Sequence, residues 1–270
     1  MAGFAQLSLE LMVARAVAAR KANEVKKLNV IYEPGGRARE YAALAVNLYS
    51  GCGHKCSYCY APAALQRNRQ DFYEKPGPRA RDFWSKLERD LKLLEGRPNM
   101  EPVLLCFSCD AYQPIDVEYG YARKALSMFK RHDVPFQVLS KGGMRCARDF
   151  DLYEPGRDIF AATMTFMSAD KSAQWEPGAA LPAERIEALK LAHEMGIKTW
   201  VSLEPVIEPE ESLACIDACA NYVDGFKVGT WNHDKRAKEI DWFALGHEAV
   251  AKIEGYGKEL YVKKDLKEKM

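Results

Sequence analysis

Short apolar runs alternate with amphipathic stretches along most of the chain. The apolar runs favour strands, because β-branched and aromatic residues are common in them; they lie near residues 43–48, 103–107, 136–140, 160–165, 198–203 and 225–228. Between them, apolar residues recur at helical spacing, which predicts helices near residues 78–94, 116–132, 146–152, 182–195, 209–222 and 241–253. Pro182 and Pro209 suit the first turn of their helices, and Gly196 suits a helix end.

Six strand-then-helix units predict a parallel sheet with right-handed crossovers. Because eight strands are needed to close a TIM barrel, we predict an α/β fold with a partial (β/α)6 barrel over residues 40–235. Residues 1–39 form an N-terminal segment with an amphipathic helix over 8–27, and residues 236–270 a short C-terminal extension with a helix, a strand and a charged tail packed on the barrel. Ligands bind such sheets at the carboxyl ends of the strands, so functional residues are expected just after each strand.

Composition excludes several classes of protein. The chain has 39 Lys and Arg against 38 Asp and Glu, so it lacks the basic bias of a dedicated duplex-DNA binder. Its apolar stretches are too short to span a membrane, and its first residues lack the pattern of an export signal. We therefore expect a cytoplasmic protein, in which the eight cysteines pack or bind metal rather than form disulfides.

Three of the cysteines are clustered directly after the first predicted strand. Residues 52–59 read CGHKCSYC, so Cys52, Cys56 and Cys59 have the spacing C-x3-C-x2-C. Soft thiolates suit iron, and three of them on a four-iron cluster leave one iron open to another ligand. The alternative is a structural zinc site with His54 as fourth ligand, but zinc sites usually combine two spaced pairs, and no second pair follows at the short distance typical of zinc fingers.

This loop, including the aromatic Tyr58 before the third cysteine, resembles the signature of the radical S-adenosylmethionine (SAM) superfamily. The resemblance implies a [4Fe–4S] cluster on Cys52, Cys56 and Cys59, with SAM bound to the open iron. Reductive cleavage of SAM would then produce a 5′-deoxyadenosyl radical that takes a hydrogen atom from the substrate. It also implies a flavodoxin- or ferredoxin-type electron donor as partner.

Further motifs resemble spore photoproduct lyase and its relatives. They are residues 108–114 (SCDAYQP), the pair Ser140-Lys141, Thr163, residues 175–178 (WEPG) and residues 185–187 (RIE). The similarity extends over roughly residues 40–230. It implies cofactor contacts by Tyr58, Tyr60, Ser108, Asp110, Lys141, Thr163 and Glu176.

Three of these residues also have readings from their own chemistry. Asp110 pairs with the SAM ammonium or caps the nearby helix or turn. Lys141 binds the SAM carboxylate or ribose, or is an exposed turn lysine. Glu176 contacts SAM or forms a salt bridge with Arg185, and we favour the salt bridge.

The lyases use a cysteine near the end of the second strand as hydrogen-atom donor. Here Phe107 stands at the nearest match, so Cys109 is the better-placed candidate for the catalytic role, with packing as the alternative. Four other cysteines either pack in the core, which we favour, or join an auxiliary cluster: Cys106, Cys146, Cys215 and Cys219.

Two regions bear on the substrate. Residues 66–89 hold seven basic and four acidic side chains interleaved with aromatic ones, a pattern that suits phosphate binding and base stacking, or is only a solvated face. Asn232, His233 and Asp234 follow the sixth strand and are candidate substrate contacts. We predict a nucleobase- or nucleotide-type substrate for repair or modification. A small metabolite or peptide is the alternative, and a non-catalytic iron–sulfur or zinc module is the third possibility.

Overall fold

The computed structural model describes residues 28–270, so the helix predicted over 8–27 lies outside the described residues. Within residues 28–270 the strands are β1 (Ile31–Tyr32), β2 (Ala45–Val46), β3 (Tyr49–Ser50), β4 (Gly77–Pro78), β5 (Val103–Leu105), β6 (Phe136–Ser140), β7 (Ile159–Thr163), β8 (Lys198–Leu203), β9 (Gly225–Val228) and β10 (Glu259–Val262). The α-helices are α1 (Ala61–Ala64), α2 (Arg69–Glu74), α3 (Phe83–Leu94), α4 (Asp116–Tyr119), α5 (Tyr121–Arg131), α6 (Ala169–Trp175), α7 (Pro182–Glu194), α8 (Pro209–Cys219), α9 (Trp242–Gly255) and α10 (Lys264–Lys267). Short 3-10 helices cover Gly36–Glu40, Gly143–Leu152, Ala220–Tyr222 and Lys235–Glu239.

One sheet organises the described part of the chain, with strand order β1-β2-β5-β6-β7-β8-β9-β10. The antiparallel strand β1 forms one edge, and all other neighbours in this sheet are parallel. The two edge strands do not pair with each other, so the barrel stays open. All six predicted strands are present in the predicted order, which confirms the α/β partial barrel.

The C-terminal extension adds a seventh parallel strand to the six that we predicted. Strand β10 pairs with β9 in the register Glu259↔Gly225 through Val262↔Val228. The tail after it is a short helix that buries Leu266. Because β10 joins the sheet, Lys263 lies at the carboxyl end of a sheet strand, among the residues that border the barrel opening.

The helices bury one apolar face against the sheet. In α3 the buried residues Phe83, Leu87, Leu91 and Leu94 recur every three or four positions, as an amphipathic helix requires. This helix begins later than the predicted residue 78, because Gly77–Pro78 pairs with β3 in a separate two-stranded sheet. The helix predicted over 116–132 is divided at Gly120, whose φ of +61° ends the first segment.

No helix among residues 28–270 is both long enough and apolar enough to cross a membrane.

Candidate functional site

A cavity of about 550 Å³ opens at the carboxyl ends of the strands, where the parallel sheet predicted it. Its volume is in the range of small-molecule binding sites. Ten of the eleven predicted site residues line it: Cys52, Cys56, Tyr58, Cys59, Tyr60, Ser108, Cys109, Asp110, Lys141 and Thr163. Cys106 also lines the cavity, and we call its five cysteines, Cys52, Cys56, Cys59, Cys106 and Cys109, the cysteine wall.

Two glycines allow the loop of the cysteine triplet to pack closely against its neighbours. Gly51 has a φ of +89°, and a Cβ there would lie 2.6 Å from the carbonyl oxygen of Phe72. A Cβ on Gly178 would lie 2.0 Å from the carbonyl oxygen of Gly53. Larger residues at either position would displace the loop.

Helix α2 holds the loop from its outer side. The Arg69 guanidinium donates to the carbonyl oxygens of Ser57 at 3.2 Å and Cys59 at 2.9 Å. The Tyr73 hydroxyl donates to the carbonyl oxygen of Cys56 at 2.5 Å. Because these contacts use backbone atoms, the thiols remain directed to the cavity. Sequence analysis had placed Arg69 in the basic stretch and missed this positioning role, for which the sequence carries no local signal.

Burial sets the protonation of the three thiols. It raises the pKa of Cys56 to about 12 and also raises the pKa values of Cys52 and Cys59. A thiolate in this cavity therefore needs a cation to stabilise it. Metal binding does this by displacing the proton, so the chemistry of these three donors suits thiolate ligation of an iron–sulfur cluster.

The zinc alternative depends on His54, and the structure gives both nitrogens of that ring other partners. Nδ1 lies 3.4 Å from the Asp110 carboxylate, and Nε2 lies 3.1 Å from the Arg145 guanidinium. Burial lowers the pKa of His54 to about 4, so the ring is neutral and accepts the Arg145 hydrogen bond. Among residues 28–270, no three histidine, cysteine or carboxylate side chains converge as one metal ion requires.

Asp110 connects the loops that follow three neighbouring strands. Its carboxylate accepts hydrogen bonds from the Ser140 hydroxyl at 2.7 Å and from the backbone N–H groups of Tyr112 and Lys141, both at 2.8 Å. The His54 ring is the fourth partner. These four contacts match the acceptor capacity of a carboxylate, so Asp110 has the geometry of a loop-positioning residue that also lines the cavity.

Lys141 presents an ammonium group to the cavity. Among residues 28–270 it forms no ion pair with a carboxylate, and its Nζ lies 5.7 Å from the centre of the Tyr58 ring. Burial lowers the pKa of Lys141, but attraction to Cys56, Glu176 and Asp110 outweighs burial and raises it overall. A protonated lysine at this position fits an anionic group of a ligand.

Glu176 is the one predicted cofactor contact that does not line the cavity. It forms a fully buried ion pair with Arg185, whose Nη2 lies 2.5 Å from Oε2. The Tyr58 hydroxyl donates to the same carboxylate, and Arg185 also donates to the carbonyl oxygen of Thr163 at 2.9 Å. Of the two roles considered for Glu176, the structure shows the salt bridge, which fixes Tyr58 from behind.

The carboxyl ends of β8, β9 and β10 form another part of the cavity lining. We call it the polar wall and define it by Ser202, Glu204, Thr230, Asn232 and Lys263. The Glu204 carboxylate accepts hydrogen bonds from the Tyr41 hydroxyl at 2.5 Å, the Asn232 amide at 3.2 Å and the Lys263 ammonium.

Sequence analysis missed Glu204 and Lys263. Glu204 directly follows a predicted strand, so the rule of strand ends would have found it. Lys263 required the knowledge that β10 joins the sheet. Of the residues predicted after the sixth strand, Asn232 and His233 line the cavity, whereas Asp234 pairs with Arg236 at 2.7 Å on the surface.

The basic stretch over 66–89 has two possible roles from its sequence, an entrance that binds phosphate and bases or a solvated face. None of its seven basic side chains lines the cavity, and the aromatic rings of Phe72 and Phe83 are buried in the protein rather than free to stack a base. Its two lysines form exposed i,i+4 pairs with Asp71 and Asp82. Of the two readings of this stretch, the structure agrees with the solvated face rather than with a basic and aromatic entrance.

The remaining cysteines behave as core residues. Cys146, Cys215 and Cys219 are fully buried, belong to the main hydrophobic cluster and do not line the cavity. This agrees with packing rather than with an auxiliary cluster.

Comparison with known proteins shows which fold this is. No family model matches the chain. An uncharacterized protein of Methanocaldococcus jannaschii is 26% identical over 168 residues, 62% of this chain and 61% of that protein, so the match covers less than two thirds of the relative. A spore photoproduct lyase mutant solved with dinucleoside spore photoproduct has a TM-score of 0.65 at 16% identity, covering 88% of this chain and 79% of the lyase.

A second solved structure has the same architecture in a larger chain. Streptococcus suis SuiB bound to S-adenosylmethionine has a TM-score of 0.57 at 13% identity, covering 81% of this chain and 49% of SuiB. SuiB has also been solved bound to its precursor peptide SuiA. The chain therefore has the partial-barrel fold of spore photoproduct lyase and SuiB, and the fold expected from the sequence resemblance is confirmed.

Proposed function

We propose that this chain is a radical SAM enzyme. The observation that carries the proposal is that Cys52, Cys56 and Cys59, spaced C-x3-C-x2-C, face one cavity at the carboxyl ends of a parallel sheet. The shared fold supports it, since SuiB has been solved with S-adenosylmethionine bound.

In this proposal Cys52, Cys56 and Cys59 would hold a [4Fe–4S] cluster, beside which SAM would bind. With a flavodoxin- or ferredoxin-type electron donor, the cluster and SAM would together supply radical chemistry that removes a hydrogen atom from the substrate. The Lys141 ammonium binds the SAM carboxylate, because it faces the cavity without a carboxylate partner among residues 28–270. Asp110 keeps the loops around Lys141 and His54 in place.

Other side chains of the cavity complete the cofactor site in this proposal. Tyr58, fixed by Glu176, presents its ring beside Lys141. Contacts to SAM by Tyr60, Ser108 and Thr163 are part of the proposal, since all three line the cavity. Cys109 is proposed as the hydrogen-atom donor because its thiol lines the cavity wall.

The proposed substrate is a nucleobase or a nucleotide-type molecule, in repair or modification. The cavity is lined by aromatic rings that suit a flat base: Tyr60, Phe107, Trp231 and His233. Glu204, at the polar wall, is a hydrogen-bond acceptor for the edge of such a base. The lyase with this fold has been solved with a dinucleoside.

A small metabolite or a peptide is the second candidate substrate. The near-neutral charge of the chain and the position of the basic stretch away from the cavity favour it. SuiB, which shares the fold, has been solved with a peptide.

The test is anaerobic reconstitution with iron and sulfide, followed by dithionite reduction in the presence of SAM and measurement of 5′-deoxyadenosine. We expect product from the wild type and none from Cys56→Ala, with iron content reduced in that variant. Cys146→Ala is the matched control, because Cys146 is also buried but does not line the cavity.

The outcome separates the candidates. Product that nucleosides or short single-stranded oligonucleotides accelerate supports the nucleobase substrate, whereas acceleration only by peptides or metabolites supports the second candidate. A protein that holds four irons and yet cleaves no SAM would contradict the enzyme proposal and favour a non-catalytic iron–sulfur module.

A further inference from the structure

Two cysteines of the cysteine wall lie outside the predicted cluster loop. Cys106 and Cys109 follow β5 with the spacing C-x2-C, and both line the cavity. Cys106 is 5% exposed and has a φ of +71°. This left-handed backbone conformation is unusual for a residue other than glycine. Cys109 is partly exposed. The backbone therefore adopts an unfavourable conformation where it places the first thiol in the cavity wall.

A single buried amide makes the chain curl between the two cysteines. The Asn47 side-chain oxygen accepts hydrogen bonds from the backbone N–H groups of Phe107 at 2.9 Å and Ser108 at 2.8 Å. The same oxygen lies 4.0 Å from the Cys109 sulfur. The Cys106 sulfur accepts a hydrogen bond at 3.4 Å from the backbone N–H of Leu48, the residue after Asn47. Both sulfurs are thus anchored to adjacent residues at the end of β2.

The two thiols also influence each other. Burial is the main cause of the raised pKa of Cys106, and contact with the Cys109 thiol raises it further. Cysteines two residues apart on a curled segment are a common arrangement for a reversible disulfide.

We propose that Cys106 and Cys109 are a redox-active pair that converts between two thiols and one intramolecular disulfide within the cavity wall. The oxidant is a disulfide of the glutathione class. The more exposed Cys109 attacks one of its sulfurs as the thiolate, giving a mixed disulfide and one free thiol. Cys106 then displaces the second thiol. Two protein thiols are oxidised to one disulfide, and the glutathione-class disulfide is reduced to two thiols. The cavity surface then no longer carries the S–H groups of Cys106 and Cys109.

The chain contains a natural comparison for this pair. Cys215 and Cys219 are separated by one helical turn in α8, are fully buried and do not line the cavity. The helix fixes their backbone and the core excludes an oxidant. Accessibility and a curled backbone therefore distinguish the first pair from the second.

The experiment equilibrates the full-length, cluster-reconstituted protein anaerobically with glutathione and glutathione disulfide at a series of ratios, then traps free thiols with N-ethylmaleimide. Trypsin releases a peptide that ends at Arg123 and contains Cys106 and Cys109 but no other cysteine. We expect this peptide to become two hydrogen atoms lighter and unlabelled as the ratio becomes oxidising. Cys215 and Cys219 should remain free thiols at the ratios at which the disulfide between Cys106 and Cys109 forms.

Serine variants and the identity of the oxidation products test whether this disulfide forms. Cys109→Ser and Cys106→Ser should each abolish the internal disulfide, whereas Cys215→Ser should leave it unchanged. Complete labelling of both thiols at every ratio would overturn the proposal. So would a stable glutathione adduct on Cys109 that never closes, or a crosslink from either cysteine to Cys52. The assay measures disulfides and not SAM cleavage, so its failure is distinguishable from failure of the proposed function.

Discussion

The cysteine wall and the polar wall line the same cavity, but their side chains differ in chemistry. The cysteine wall presents thiols, and burial raises the pKa of Cys52, Cys56, Cys59 and Cys106, whereas the neighbouring Asp110 carboxylate mainly holds loops. The polar wall presents charges that are already paired, with Glu204 bound by Lys263, Tyr41 and Asn232.

The difference indicates that the two walls suit different tasks. Thiols that need a cation suit a metal cofactor, whereas a hydrogen-bonded carboxylate with a fixed position suits recognition of an organic group. A substitution in the polar wall should therefore leave iron binding unchanged, and a substitution that weakens the cysteine wall should reduce iron binding.

The largest effect is expected behind the cysteine wall. Arg185→Met leaves the buried Glu176 carboxylate without its partner, and breaking such a pair costs about 3–5 kcal/mol. We expect the melting temperature to fall strongly in thermal unfolding followed by circular dichroism. Lys75→Met removes an exposed partner of Asp71 and should cost at most about 1 kcal/mol. Equal losses in both variants would show that the Arg185 pair does not support this wall.

A smaller effect is expected at Asp110, which lies next to Cys109 of the cysteine wall. Asp110→Asn places an amide against four groups that donate to the carboxylate, and loss of one charge-assisted hydrogen bond costs about 1.5–3 kcal/mol. The unfolding midpoint in urea and the iron content after reconstitution should both decrease. Asp217→Asn, at an exposed carboxylate paired with Lys252, serves as the control. An unchanged midpoint would contradict the loop-connecting role of Asp110.

The polar wall should respond in a different measurement. Glu204→Gln keeps the shape of the side chain but removes the charge that pairs with Lys263. On the proposed function, iron content and substrate-free cleavage of SAM should be unchanged, while stimulation by nucleosides should need about tenfold more nucleoside, equivalent to about 1.4 kcal/mol. Glu208→Gln, which does not line the cavity, is the control. Loss of iron in Glu204→Gln would remove the proposed division between the walls.

The smallest effect concerns Lys227, in the barrel interior near the polar wall, where its ammonium lies 4.5 Å from the centre of the Trp200 ring. Burial lowers the pKa of Lys227 to about 8, and repulsion by Lys263 adds to this. The pKa of lysine in an unfolded chain is about 10.4. Between pH 8 and that value the unfolded chain binds more protons than the folded chain, so the free energy of unfolding rises with pH.

Lys227→Met lacks this titration. The wild type should therefore gain stability relative to the variant as the pH rises from 8 towards 10, which parallel thermal melts across that range would measure. Lys267→Met, at an exposed lysine, should show no such trend. A constant difference between wild type and Lys227→Met would indicate that Lys227 has the same proton affinity in the folded and unfolded chain.

Much of the fold was predictable because its signals are local. Strands β5 to β9 are short runs of mostly buried residues on both faces, as Val103–Leu105 illustrates. The strand β10 was harder to place, because Glu259–Val262 alternates exposed and half-buried residues as an edge strand does. The short helix Arg69–Glu74 was missed, because its single buried residue, Phe72, creates no periodic pattern.

The sequence by itself determined the cysteine triplet, the order of the parallel strands and the edge of the sheet at which the site lies, since these follow from spacing and periodicity within short segments. Only the tertiary structure decided that Glu176 pairs with Arg185, that Arg69 supports the loop, and that Glu204 meets Lys263. The physical reason is that a charged side chain is stabilised by whichever partner the fold brings within hydrogen-bonding distance. That partner is set by how distant segments pack, which no local pattern records.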